Sequence, residues 1–197
     1  MIETAFVSIE TFTSEEFERL MADLPANDPN TYELIDGRII MTPPAGWPHG
    51  RYEAHIVSKL TQFVESRNLG LVFGSSQGFR LTEKDTVAPD AAYVSNQRWA
   101  ESPSPVVGKP LRVIPNLVVE ILSPTTAKND LEDKRALYER CGVDEYWIVD
   151  PQKPSMTILA LKGDQYEEVD AARGRGRVHS RILPGFSVAL EELAPST

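Results

Sequence analysis

The 197-residue chain has one cysteine and three histidines. A lone thiol cannot close an internal disulfide, so the fold needs no oxidising compartment. So few sulfur and imidazole ligands also speak against a structural zinc site. No run approaches the roughly 18 consecutive apolar residues of a membrane span. No basic segment opens the chain. Between Met1 and Phe17 stand Glu3, Glu10, Glu15 and Glu16, so no signal peptide is expected and the default address is cytoplasmic. Basic excess is missing too, with 20 Lys and Arg against 29 Asp and Glu, a net charge of −9. Such a chain repels nucleic acid at long range, which speaks against a general DNA coat protein. It leaves room for an enzyme that meets phosphates locally through metal ions. There is no Gly-x-Ser-x-Gly elbow, no phosphate loop ending Gly-Lys-Ser/Thr, and no internal repeat.

What remains is ordinary globular composition, 41% hydrophobic and 25% charged, which excludes disordered and collagen-like chains. The length suits a single domain over 1–197, with a short N-terminal helix and a β-rich C-terminal tail. Thr13 and Glu16 form a capping-box signature, and Phe17, Leu20, Met21 and Leu24 carry helical spacing to about residue 24. Asp36-Gly37 between alternating runs predicts a hairpin of strands 32–35 and 38–42. Pro48 starts a long helix on which Tyr52, Ile56, Leu60, Phe63 and Val64 share a face. Strands are expected at 71–74, 78–81 and from Pro89 to Val94, and a surface loop at 100–110. The apolar run Leu111 to Leu122 suits a central strand covered on both faces. Ser123-Pro124 stops it. Asn129 with Glu132 opens a helix that Gly142 closes. Strands follow at 145–149, 156–161, 166–169 and 177–183. The expectation is an α/β, mixed α+β fold in which helices cover both sides of one mixed sheet.

Glu120 is the most informative residue, because it interrupts Leu117-Val118-Val119-Glu120-Ile121-Leu122 with a single carboxylate. A buried unpaired charge costs several kcal/mol, roughly, so a cation, a base or a metal must hold it. A strand-end acid paired for structural reasons fits equally. Asp90 follows Pro89 at a strand start, which is also ordinary turn chemistry. Together, two carboxylates on neighbouring strands make a hard-oxygen site for Mg²⁺ or Mn²⁺. Lys134 falls on the apolar stripe Leu131, Lys134, Tyr138, Cys141 of the helix after the Glu120 strand. It either snorkels to solvent or points at Glu120, where it could orient water or stabilise phosphate charge. Arg135 faces more to the side, as a solvent residue. His49, with Glu53 one turn on, shares the core face of the long helix and reads as a capping or buried residue or as a site residue. Glu33, in the first hairpin strand, is a further metal-site candidate or part of a solvated face. The basic run Arg173 to Arg177 is a solvated turn or a contact to a nucleic-acid backbone.

These motifs together resemble a known family. Tyr32-Glu33-Leu34-Ile35-Asp36-Gly37, His49, Pro89-Asp90, the run Val118 to Thr126, Lys134 with Tyr138, and Gly142 to Pro151 are similar, in order and spacing, to the Uma-two family of bacterial restriction endonucleases. The likeness extends from about Tyr32 to the Leu183-Pro184-Gly185-Phe186 tail. That family belongs to the PD-(D/E)XK nuclease superfamily. The resemblance implies a restriction-endonuclease-like core, a mixed β-sheet flanked by helices. It implies Asp90 and Glu120 as metal-binding acids, with Mg²⁺ or Mn²⁺ as cofactor. The superfamily pattern wants a lysine two residues after the second acid, where this chain has Leu122. Lys134 from the next helix would supply the amine. The expected function is metal-dependent hydrolysis of DNA phosphodiester bonds, with DNA as substrate, no membrane partner and a homodimer as one assembly. The alternative is a catalytically silent module that keeps the fold and binds a protein or nucleic-acid partner, which the acidic surface favours.

Overall fold

The computed structural model describes residues 6–25, 27–123 and 130–193. Strand β1 (Phe6–Val7) precedes helix α1 (Ser14–Ala22). The expected capping box is present: the Thr13 hydroxyl accepts the Glu16 N–H, and the Glu16 carboxylate accepts the Thr13 N–H. Strands β2 (Thr31–Ile35) and β3 (Arg38–Thr42) pair antiparallel. Both turn residues have positive φ, Asp36 at 50° and Gly37 at 77°, the backbone a tight two-residue hairpin requires. Helix α2 (His49–Ser66) buries Tyr52, Ile56, Leu60 and Val64 at the expected spacing. Then come β4 (Gly70–Gly74), β5 (Phe79–Thr82), β6 (Asp85–Val87), β7 (Ala91–Ser95) and the short α3 (Asn96–Glu101).

The central strand, β8 (Leu117–Ile121), is buried at every residue but shorter than its apolar run suggested. Leu111 instead makes an isolated bridge to Phe79. One π-helical turn (Asp130–Lys134) leads into α4 (Arg135–Cys141). The uniform α-helix expected from Asp130 is therefore two segments. Its expected start at Asn129, and the motif residues Pro124 to Thr126, lie outside the described residues. Gly142 ends α4 with φ 76°, the left-handed cap that glycine takes without strain. Strands β9 (Glu145–Asp150), β10 (Ser155–Lys162) and β11 (Gln165–Arg173) follow, then β12 (Arg177–His179), β13 (Ser187–Ala189) and α5 (Leu190–Leu193).

These strands form two main sheets and a small ribbon, not the one sheet expected. The larger has six strands in the order β11-β10-β9-β8-β7-β4, with β8 and β9 parallel and the other pairs antiparallel. The second has five, β1-β3-β2-β6-β5, and β12 pairs with β13. Alternation along the central strands sends side chains to two cores. Tyr93, Leu117, Val119, Ile121, Trp147 and Val149 pack with α2 and the chain's C-terminal part. Ala92, Val94, Val118 and Tyr146 pack with Leu137 and Tyr138 of α4 and with the second sheet. Emptying either core is costly; Leu60→Ala should destabilise by about 2–5 kcal/mol. Glu120 has the parity of Val118, so it faces α4 and the second sheet rather than α2.

Candidate active site

Glu120 sits at the end of β8 and is 3% exposed. Nothing on its own strand can neutralise it, so the compensation is tertiary. Its Oε1 accepts hydrogen bonds from Lys134 Nζ at 3.0 Å and from Tyr138 OH at 2.6 Å. The i, i+4 spacing of Lys134 and Tyr138 aims both at one carboxylate. Burial, followed by the charges of Glu120 and Glu33, holds the Tyr138 phenol well above its ordinary pKa, so it stays a neutral donor. Lys134 does not snorkel. It is 5% exposed and also contacts Glu33 Oε2 at 2.9 Å. Glu33 is buried, not on a solvated strand face, and its Oε1 accepts the Ala88 N–H at 2.9 Å. Arg135, by contrast, is exposed as expected.

Asp90, just before β7, reaches across to the neighbouring strand. Its Oδ2 accepts the Ile121 N–H at 2.7 Å and lies 3.3 Å from His49 Nε2. The aspartate therefore does backbone work and also faces an imidazole. Burial pushes the His49 pKa down, but the hydrogen bond and charge of Asp90, with the charge of Glu53, outweigh it and leave the pKa raised. Glu53 is one turn along α2, on the same face as His49. Its Oε1 accepts the Ser75 hydroxyl at 2.6 Å. Ligand atoms of His49, Glu53 and Asp90 all lie within 4.8 Å of one another. Asp90, Glu120, Lys134, Glu33 and His49 thus line one cleft of about 270 Å³, together with Glu53 and Ser75.

Four carboxylates and one ammonium line this cleft among the described residues. Carboxylate oxygens with one imidazole are a donor set that could hold a divalent ion such as Mg²⁺ or Mn²⁺. Ser75 was not legible in the sequence, because a serine in a loop carries no signal of what it meets. The i, i+4 pairing of His49 and Glu53 was the available hint that Glu53 joins the site. The Arg173 to Arg177 run lies away from this cleft. Arg173 bridges Arg175, and Arg177 pairs with Glu192 at 3.5 Å.

A mixed sheet with helices on its faces and acids gathered at adjoining strand ends is the architecture that positions this cleft. The same fold is found in the crystal structure of "a putative nuclease belonging to DUF820 from Anabaena variabilis ATCC 29413", with a TM-score of 0.71. That likeness, at 18% identity, covers 89% of this chain and 96% of the other. The family model of Uma2, "Putative restriction endonuclease", matches residues 14–191. The chain belongs to this family. None of the curated proteins matches it, and among the described residues no helix is long and apolar enough to cross a membrane.

Proposed function

We propose that the protein is a metal-dependent endonuclease that hydrolyses DNA phosphodiester bonds in this cleft. The observation that carries the reading is the gathering of Glu33, Glu53, Asp90 and Glu120 in one cleft, where Lys134 is the one ammonium among the described residues. A structural ion pair needs one acid per base, and the surplus suits a divalent cation. Asp90 and Glu120 would hold it, with Glu53 and His49 as further ligands. A bound Mg²⁺ or Mn²⁺ supplies Lewis-acid activation of water and neutralises charge on the phosphoryl group.

The chain's own residues supply position and charge. Glu33 and Glu120 fix the Lys134 ammonium at the cleft wall, where it can hold a water or meet a phosphate oxygen without reorganising. Tyr138 locks one oxygen of Glu120, which sets the direction of the other. The Ile121 N–H does the same for Asp90. Because Lys134 is on the helix after β8, it does the work that the superfamily pattern gives to a strand residue two places beyond Glu120.

Supercoiled plasmid is the direct test. Nicking with Mn²⁺ that EDTA abolishes is the expected result. Metal binding has its own readout. At a free ion concentration of ~100 times the dissociation constant, folded-state binding stabilises by about 2.7 kcal/mol. For this chain length that raises the melting temperature by roughly 5–10 °C. A protein that neither nicks plasmid nor responds to Mn²⁺ would be the silent interaction module instead.

A further inference from the structure

The chain has three tryptophans. Trp147 is fully buried, and Trp99 packs against the core beside Phe73. Trp47 is 73% exposed. A single exposed apolar side chain is unremarkable on a protein surface. What distinguishes Trp47 is its address. It is in the loop between β3 and α2, two residues before His49. Pro43, Pro44 and Ala45 of the same loop line the cleft, as do His49 and Gly50. The turn carrying it is closed by the His49 N–H donating to the Gly46 carbonyl at 3.1 Å. The indole is therefore exposed on a short, proline-bounded segment whose flanking residues line the acidic cleft.

Resting on the nuclease reading above, we propose that Trp47 is a stacking platform for an unpaired nucleobase beside the scissile phosphodiester. The cleft then takes single-stranded or locally opened DNA in preference to an intact duplex. The charge argument points the same way. A chain of net charge −9 gains little from long-range attraction to phosphates. Affinity must come from metal-bridged phosphate and from contacts indifferent to charge, and aromatic stacking on a base is such a contact. Bases in a duplex are already stacked on their neighbours, so an exposed indole beside the cleft has a face to meet only where a base is unpaired or turned out.

The test uses the full-length protein in Ca²⁺, as wild type, Trp47→Ala and Trp47→Phe. The probes are a labelled oligothymidylate, the same strand annealed to oligoadenylate, and a strand with abasic positions. Anisotropy reports affinity, and quenching of tryptophan emission reports stacking. Wild type should bind the single strand more tightly than the duplex, with quenching. Trp47→Ala should bind the single strand roughly tenfold more weakly and lose the quenching. Trp47→Phe should keep most of the affinity, and abasic positions should weaken wild type but not Trp47→Ala. Trp47 makes no core contact, so a melting temperature equal to wild type shows that each variant is folded. Single-strand affinity of Trp47→Ala within about twofold of wild type overturns the proposal, as does tighter wild-type binding to duplex. If wild type nicks plasmid while Trp47→Ala binds normally, the stacking role alone fails. If wild type binds no DNA and nicks none, the nuclease reading fails with it.

Discussion

Two buried glutamates on adjacent parallel strands have opposite surroundings. Glu145 opens β9, fully buried, and its hydrogen-bond partners among the described residues are neutral donors. Its oxygens accept from the Trp147 indole and from the Arg181 and Ile182 N–H groups. It pins the segment leading to β13 onto the main sheet, and burial raises its pKa against those hydrogen bonds. Glu120, near the end of β8, is held by a cation and a phenol and lines a cleft with three more acids. Burial of a carboxylate therefore says little about function by itself. The partners say more: neutral donors mark a tie, while a cation shared between acids at an open cleft marks a candidate site.

The sharpest way to break that comparison is to remove the shared cation. Lys134 touches Glu33 and Glu120 at 2.9 and 3.0 Å, all three nearly inaccessible to water. Methionine would keep the packing of the stem, and sequence alone would rate that change mild. With two buried acids deprived of the cation they share, Lys134→Met should instead cost about 3–5 kcal/mol at neutral pH. Adding Glu120→Gln to it should restore part of the loss, as a double-mutant cycle of denaturant melts would show. A single variant as stable as wild type would mean that the acids are already neutralised without Lys134.

Exchanging each glutamate for glutamine sharpens the contrast next. Glu120→Gln should keep the fold, since Lys134 retains Glu33, while cleavage falls by at least about 100-fold. Glu145→Gln should do the reverse. Its amide cannot accept from all of these N–H donors, so stability should fall by about 1–3 kcal/mol, with the nicking rate of the folded protein unchanged. Part of that difference is pH-dependent. The pKa of Glu145 is raised on folding, so its contribution favours the folded state at low pH and is lost as pH rises from the unfolded value through the folded one. The glutamine variant should lack that slope. If both exchanges damage stability alone, Glu120 is a structural tie like Glu145.

This contrast shows what the sequence could carry. Glu120 and Lys134 were both legible as charges in apolar patterns, one in a strand and one on a helix stripe, and they meet. The capping box, the Asp-Gly turn and the Gly142 cap were legible because each is local chemistry. Glu145 carried the same kind of signal but sat at a strand start, where an acid looks solvated; the tail that covers it is 36 residues away in sequence. The second sheet was hidden for a related reason. β1 and β6 are two and three residues long, too short for alternation to register, and they exist only because β3 and β2 offer an edge. Asp85 illustrates the loss. It is buried, accepts the Asp36 N–H at 2.8 Å and meets Arg140 at 3.0 Å, tying the hairpin turn to α4, yet nothing adjacent in sequence marks it. Helix α3, expected in part as loop, is capped by the Ser95 hydroxyl, which accepts the Arg98 N–H; without a Glu or Gln at the third position the capping box is incomplete.

The smallest effect concerns His49, and its sign separates the metal reading from a purely structural pair. The neutral donors around Glu145 do not titrate near neutrality, whereas the imidazole facing Asp90 does. Its raised pKa means that, without metal, its contribution to stability is fully present below the unfolded value of about 6.5 and is lost as pH rises through the folded value. His49→Gln should therefore be less stable than wild type at the acid end of a series from about pH 5.5 to 8.5, with the gap closing as pH rises. His55 and His179 remain in both proteins, so the difference isolates His49. With Mn²⁺ the dependence should invert. A metal takes only the neutral ring, so the ion's stabilising effect grows as pH rises through the folded pKa. Removing the imidazole should leave a smaller, flatter metal effect carried by the carboxylates. Melts of both proteins with Mn²⁺ and with EDTA across that range supply the four curves. If the Mn²⁺ effect has the same size and slope in His49→Gln as in wild type, His49 is no ligand, and its contact with Asp90 is a structural ion pair only.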